Sequence, residues 1–550
     1  MPELQEKPAD SQPSAGAPKQ AFSRMDSGPQ RTFWVLLFLG AGFVLRVWHA
    51  SGTFLNSDEI MHFAAANQTS WAATYRMSLA ISHPPLLIFV LHLWRALGTS
   101  ELMLRMPSII AGLAFCWFAL QWARLLFAEE VAWGLYVFVL FLPTSIELST
   151  EVRQYALFLA FMMAAAYLLE RALAENSAGA MLLSGVSLWF AIGSHYSGFL
   201  FAPALGVYAI WRILRQGHRL RVTLAWVAGQ VGALALCIFL YFTQIRELSH
   251  YFGGQDPTKG WMENAYLGHS YFVPGKVNPV IFIIGRTVGV FQYTFRQLVV
   301  GDIAFLFFLA GIFLLFRGKN SSRVNSRQLG ALLLLPFAAN CAAAMVRAYP
   351  YGGTRHSSFL LPFALAGICI ALAGALRHKL LPTIATAIAI CLLCRLTLAN
   401  KPPFFSSTDE RASNMHAAID YIDRLPEDEI IFGDFQTNLM LGHYLCNQQP
   451  YAPDQRVPGF VSFQCGGHRV IASTTKYVFD ANSFYDQIEK AAFRFGLRPG
   501  STVQVAQMGW NTHLVSEIGN SGVVPHSFGS ELHLFEFTVP QSGPAILPKL

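Results

Sequence analysis

Charge is what this chain has least of. Asp, Glu, Lys and Arg make up 13% of its 550 residues, against 53% hydrophobic and 14% aromatic, and so few charges cannot clothe a soluble globule of this size. A net charge of +7 does not support nucleic-acid binding either, because the Lys and Arg residues fall in short clusters between apolar segments and form no aromatic-laced basic patch. Cysteine excludes little. Cys116, Cys237, Cys341, Cys369, Cys391 and Cys394 lie in apolar segments, where a small polarisable side chain is ordinary packing. The C-x-x-C spacing of Cys391 and Cys394 falls inside such a run and carries no redox reading. No internal repeat is evident. The first 31 residues, rich in Pro, Ser, Ala and Gln, are expected to be a disordered cytoplasmic tail. The apolar segment from Phe33 to Trp48 has no small-residue cleavage pattern and is expected to stay as an anchor.

What the chain does have is apolar segments. After the anchor, candidates lie at 103–123, 131–148, 154–170, 180–193, 197–213, 222–243, 302–317, 329–346, 357–376 and 380–398. Each approaches the roughly 20 residues that cross about 30 Å of hydrocarbon. The expected fold class is therefore an α-helical polytopic membrane protein with about eleven transmembrane helices. Two further stretches, Pro85 to Leu97 and Val280 to Val300, carry His92, Arg95, Arg286, Gln292 and Arg296 and are expected to lie in the interface. With that assignment the basic clusters Arg212, Arg215, Arg219 and Arg221, then Arg317, Lys319, Arg323 and Arg327, then Arg377 and Lys379 all fall on the cytoplasmic face.

The opposite, periplasmic or extracellular face then receives the 51–100 loop, the Glu147 to Tyr155 link, the Ser194-His195-Tyr196 turn, the 245–300 loop, the Tyr349 to His356 link and everything after about residue 400. Beyond Asn400 the composition becomes that of a soluble domain. A helix over Thr408 to Leu425, strands at Glu429 to Asp434, Arg469 to Ser473, Thr502 to Met508 and Leu532 to Val539, and a helix near Tyr485 to Phe495 predict a small exported α/β domain over 400–550, following a transmembrane domain over 32–399. Cys446 and Cys465 are the cysteines of that domain, open to pairing if the compartment is oxidising.

The polar segments of the far face hold the chemistry. The first loop contains Asp58-Glu59, then His62, then His83-Pro84-Pro85-Leu86, then Gly98-x-Ser100-Glu101-x-x-x-Arg105-x-Pro107-Ser108. The next link gives Glu151-Val152-Arg153-Gln154-Tyr155, and a later one gives Tyr349-Pro350-Tyr351-Gly352-Gly353-Thr354-Arg355-His356. A carboxylate at a lipid boundary has to be solvated, paired or used. Plainer readings exist for each. Arg105 can snorkel from a helix end, Glu151 and Arg153 can form a surface pair with each other, His83 can cap an interfacial helix beside its prolines, and the 349–356 segment can be a hairpin.

In this order the motifs D-E, H-P-P-L, G-x-S-E-x-x-x-R-x-P-S and E-x-R-x-Y-A-L resemble the membrane-embedded glycosyltransferases of the GT-C type, in particular the family 39-like group of protein mannosyltransferases and aminoarabinose transferases. The resemblance covers roughly the first 200 residues. It implies transfer of a sugar from a polyprenyl-phosphate carrier to a hydroxyl of lipid, glycan or protein, with inversion, at the outer face of a bacterial inner membrane. It assigns Asp58, with Glu59 beside it, to general-base catalysis, or Asp58 to a divalent cation, the one cofactor it admits. Arg105, Arg153, Arg355 and His356 are then the cations nearest the departing phosphate, with His83, Glu151 and Tyr155 contacting substrate. The chain departs from the family pattern in its second outer loop, 246–279, where Glu247, Asp256, Glu263 and His269 are the counterpart residues. Two other classes stay open, a secondary transporter, disfavoured by few mid-helix charges, and a non-catalytic membrane assembly factor working through its C-terminal domain.

Overall fold

The computed structural model describes residues 29–79, 81–216, 219–246, 267–318, 324–397, 411–446, 455–474, 481–508, 524–530 and 532–539. Residues 1–28 of the expected tail, and Glu247, Asp256 and Glu263 of the expected second outer loop, lie outside them, while residues 29–31 already belong to the first helix.

Among the described residues, eight helices are long and apolar enough to cross a membrane. Eight of the eleven expected spans match them. They are α1 (Pro29–Ser51), α5 (Glu101–Leu126), α8 (Tyr155–Glu175), α10 (Gly198–Gln216), α11 (Leu220–Leu240), α13 (Leu298–Phe316), α14 (Ser326–Met345) and α15 (Leu361–Ala375), the last prolonged at its start by a turn of tighter helix from Arg355. The shorter α9 (Ala178–Ser194) and α16 (Leu380–Leu396) account for two more. The 51–100 loop adds α2 (Ser57–Ala66), α3 (Trp71–Ser78) and α4 (Leu86–Trp94).

The eleventh span, 131–148, is corrected. It breaks into α6 (Glu129–Phe141) and α7 (Pro143–Leu148), because Pro143 suits a first helical turn and cannot continue a helix already running. The break strands carbonyls at the end of α6, and Arg46, buried within α1, takes them. Its guanidinium donates to Leu140 O at 3.0 Å and Val139 O at 3.3 Å, and its Nε to Ser149 Oγ at 2.7 Å. A cation inside an apolar helix is thereby satisfied by backbone carbonyls.

Two further expectations shift. The 280–300 stretch is not one segment, since α12 (Pro279–Phe295) ends where Arg296 turns left-handed at φ 54°. Arg212, read as part of a basic cluster, is buried and donates to Glu170 Oε2 at 2.8 Å.

The C-terminal residues form a seven-stranded mixed sheet in the order β2-β3-β4-β1-β5-β7-β6. The strands are β1 (Ile430–Gly433), β2 (Gln455–Val457), β3 (Phe460–Cys465), β4 (His468–Ser473), β5 (Thr502–Met508), β6 (His526–Phe528) and β7 (Leu532–Thr538). β4, β1 and β5 are parallel at its centre. Four of these strands were legible by pattern, while β2, β3, β6 and the helix α18 (Phe435–Tyr444) were not. The expected helix from Thr408 is seen as α17 (Ala412–Ile422), its first residues lying outside the described ones. Helix α19 (Ala481–Arg494) packs one face of the sheet through Ile488, Ala491 and Ala492 against Phe432, Ile471 and Val505. The alternate residues Ile431, Val470 and Ala472 turn to the other face, as the period of two requires. That face, with Met415 of α17 and Leu441 of α18, shares one core with Phe54, Leu55, Ile60 and Phe63 of the first outer loop. Cys446 and Cys465 are joined in a disulfide.

Close helix packing rests on glycine. A Cβ at Gly311 of α13 would fall on the carbonyl oxygen of Gly367 in α15, whereas one at Gly285 would meet nothing within 4 Å. Gly311→Val is expected to cost about 1–3 kcal/mol by overpacking, read as a lowered melting temperature in detergent, with Gly285→Val unchanged.

Candidate active site

Three acid–arginine pairs tie the 51–100 loop, the start of α5, the 147–155 link and the 349–356 segment together at one end of the bundle, and each crosses between segments. The deepest is Glu59–Arg105. Asn56 caps α2 and Glu59 answers it, the Asn56 side chain accepting the Glu59 N–H at 3.1 Å while Glu59 Oε2 accepts the Asn56 N–H at 3.0 Å. The N-x-x-E spacing of this capping box was legible in the sequence. The same carboxylate takes Arg105 in a two-pronged contact, Nε to Oε1 at 3.0 Å and Nη2 to Oε2 at 2.8 Å, and accepts the Val152 N–H at 2.8 Å. Arg105 spends its remaining donors on Ala50 O, Thr53 O and Oγ1, and Phe54 O, at 2.6 to 3.0 Å. A guanidinium has five N–H donors, and protein acceptors occupy all of them. Arg105, expected among the cations nearest a departing phosphate, is thus engaged by Glu59 and by the backbone of the 50–54 stretch.

The second pair joins Asp58 to Arg153, whose guanidinium also sits 5.7 Å from the Tyr155 ring centre. The third and most open joins Glu151 to Arg355 at 3.7 Å. Glu151 and Arg153 therefore do not pair with each other. Burial raises the Glu151 carboxyl to about 7, against the pull of Arg355, which places it near the pKa useful to a proton donor or acceptor at neutral pH. At the C-terminal end of α12, Arg296 pairs with Glu147.

Beside the pairs runs a column of four imidazoles from four separate segments. His62 stacks on His83 with ring centres 6.0 Å apart, His83 on His195 at 5.5 Å, and His195 on His356 at 6.3 Å. Tyr155 closes on His195 at 5.0 Å. His62 Nδ1 donates to the Asp58 carbonyl at 2.6 Å, which leaves Nε2 as the lone-pair nitrogen of a neutral ring. Burial lowers the His62 pKa to about 4 and that of His195 well below the ordinary value; His83 is lowered by burial and by its histidine neighbours. The turn bearing His356 is fixed by Ser197, whose hydroxyl donates to His356 O at 3.0 Å and meets the Tyr349 hydroxyl at 2.8 Å. Gly353 lies against Gly289, where a Cβ would stand 2.7 Å from the Gly289 carbonyl oxygen.

The structure thus gathers Asp58, Glu59, His83, Arg105, Glu151, Arg153, Tyr155, Arg355 and His356 into one region, with His62 and His195 added. Stacked rings do not aim their nitrogens at a common point, and among the described residues no three His, Cys, Asp or Glu side chains are arranged to hold a metal ion. Asp58 is the carboxylate that the resemblance offers to a divalent cation.

Residues 82–242 match the sequence model of the dolichyl-phosphate-mannose-protein mannosyltransferase family. No curated protein matches the chain by sequence. Among solved structures, ArnT from Cupriavidus metallidurans in the apo state superposes with a TM-score of 0.51 at 12% identity, covering 94% of this chain and 100% of that one. The same protein bound to undecaprenyl phosphate gives 0.49 at 11% identity over the same shares. The archaeal oligosaccharyltransferase AglB from Archaeoglobus fulgidus, in complex with an inhibitory peptide and a dolichol-phosphate, gives 0.45 at 10% identity, covering 86% of this chain and 70% of that one.

Two outcomes follow from this geometry. Arg105→Leu leaves Glu59 charged and buried, so a loss of about 3–5 kcal/mol is expected, seen as failed accumulation or a collapsed melting temperature. His62 stays neutral in the fold down to about pH 4 while its unfolded counterpart takes a proton near 6.5. Stability should therefore fall as pH drops through that window, by about 1.4 kcal/mol per unit. Melting at pH 7.5 and 5.0 should show the wild type losing several degrees more than His62→Gln; equal losses would refute the neutral assignment. The family's sequence pattern thus runs from the H-P-P-L turn to the end of α11, and the chain as a whole shares its fold with ArnT.

Proposed function

We propose that the protein transfers a sugar from a polyprenyl-phosphate carrier to a hydroxyl of a lipid, glycan or protein, at the membrane face where the C-terminal sheet domain, residues 400–550, is exported from the 32–399 bundle. The carrying observation is that Asp58, Arg153, Glu151 and Arg355, from three segments remote in sequence, meet where the family match begins and the outer loops converge. A dolichyl-phosphate sugar, the donor in that family's description, is of the polyprenyl-phosphate class.

In this reading the acceptor oxygen attacks the anomeric carbon, Asp58 takes its proton, and the bond from that carbon to the phosphate oxygen breaks with inversion. A positioned carboxylate contributes typically 10²- to 10⁴-fold to such a step. The departing phosphate carries away the electron pair and is met by Arg355 and Arg153, a residue type suited to two-pronged phosphate contact. Arg153 is shared in this scheme. It pairs with Asp58, and a donor phosphate would draw on the same guanidinium. Glu59 and Arg105 hold the loop, and His83, Tyr155 and His356 line the space beside the pairs. A divalent cation would have Asp58 to hold it, and no step here runs through one. The basic clusters at the opposite ends of the helices, around Arg215 to Arg221 and Arg377 to Lys379, support placing the reaction on the periplasmic or extracellular side.

Membranes containing the protein, supplied with radiolabelled polyprenyl-phosphate sugars, should move label from one donor class onto a hydroxyl acceptor. Asp58→Asn should lower that transfer by about 10²-fold or more at normal expression and melting temperature. Undiminished turnover by Asp58→Asn would remove Asp58 from the chemistry.

A further inference from the structure

We propose that Tyr444, from the C-terminal sheet domain, is a positioning residue for the reaction centre, a proposal that rests on the catalytic reading of Asp58. Its hydroxyl accepts the N–H of Leu55 at 2.7 Å and donates to Glu101 Oε1 in a short contact. A phenol has one proton and lone pairs to offer, so the proton goes to the carboxylate and the backbone N–H takes a lone pair.

The bonded N–H belongs to the peptide unit between Phe54 and Leu55. The carbonyl of that unit, Phe54 O, is held by Arg105 Nη2 at 2.7 Å. One planar peptide is thus gripped at both edges, by Arg105 from α5 and by Tyr444 from α18. Because the unit is rigid, the two grips set the direction in which the chain enters the Asn56 cap and α2, and Asp58 is the second residue of that helix. Glu101 opens α5 one turn before Arg105, so Tyr444 also ties the two anchors to each other.

Tyr444 is itself well held. It ends α18, whose start is capped by Asp434 accepting the Thr437 N–H at 2.8 Å, and whose far side is tethered to β3 by the Cys446–Cys465 disulfide two residues on. The neighbouring His443 ring meets Phe63 of α2 edge-on at 6.1 Å. The Ala412 N–H bonded to Gly52 O at 3.1 Å fastens the same loop again at its start. Tyr444 touches no reacting atom. It acts through the Phe54–Leu55 peptide.

The test is Tyr444→Phe in the full chain. Hydrogen exchange in the peptic fragment covering Leu55 should become about tenfold faster, the loss expected for one hydrogen bond, with α1 and α18 unchanged. Sugar transfer should show kcat lowered by about 10- to 100-fold, as for a small misplacement of a reacting group, with KM for the donor essentially the same. Glu101→Gln, which keeps an acceptor, should retain most of the activity, and Glu101→Ala should match Tyr444→Phe without adding to it. Unchanged exchange at Leu55, or wild-type kcat in Tyr444→Phe, overturns the proposal. Faster exchange at Leu55 in the variant, from a wild-type chain that moves no sugar at all, sustains the grip and overturns the enzymatic reading instead.

Discussion

The ion pair between Glu59 and Arg105 is the constraint from which this end of the helix bundle is built. A buried carboxylate and guanidinium are tolerable only when their remaining hydrogen-bonding capacity is met. Here that demand recruits the α2 cap, the Val152 amide and the backbone from Ala50 to Phe54. The pair pulls the first loop against the start of α5 and the 149–155 link. Asp58, one residue before Glu59, is carried with them to Arg153. The acidic doublet therefore divides its labour: one carboxylate is spent on architecture, and its neighbour is left nearer the surface with a single cation beside it.

Much of this could be read from the residues in order. Runs of apolar side chains announce membrane helices because the bilayer leaves no other way to satisfy the backbone, and ten of the eleven expected segments coincide with single helices to within a few residues, the exception being 131–148. The polar links were legible for the complementary reason, since charge beside lipid is rare and has to be explained. Partnership was not legible. Glu151 and Arg153 stand two apart and invite pairing, yet each looks to a residue in another segment, Arg355 and Asp58 respectively. Linear spacing reports neighbours on one helix or strand, and these residues sit in an irregular link with no period to exploit. Arg46 was passed over because a lone cation in an apolar run resembles noise until the break at Pro143, about a hundred positions later, shows which carbonyls it serves.

The histidines illustrate the same limit. His83, His195 and His356 were noticed one at a time, as members of separate turns. Their stacking, with His62 at one end, depends on the packing of α2 and of the turns after α9 and α14, and no local pattern encodes that. The column sets imidazoles that burial shifts toward their neutral form beside the acid–arginine pairs.

The contact between the sheet domain and the first loop has a consequence for biogenesis. Ribosomes make the loop bearing Asp58 within the first sixty residues, but the helix bearing Tyr444 emerges nearly four hundred residues later. A nascent chain arrested anywhere before that point can be threaded into the bilayer with its helices in place, yet its loop lacks the last of its fastenings. The fastening of this loop is thereby deferred until the helix bearing Tyr444 has been made.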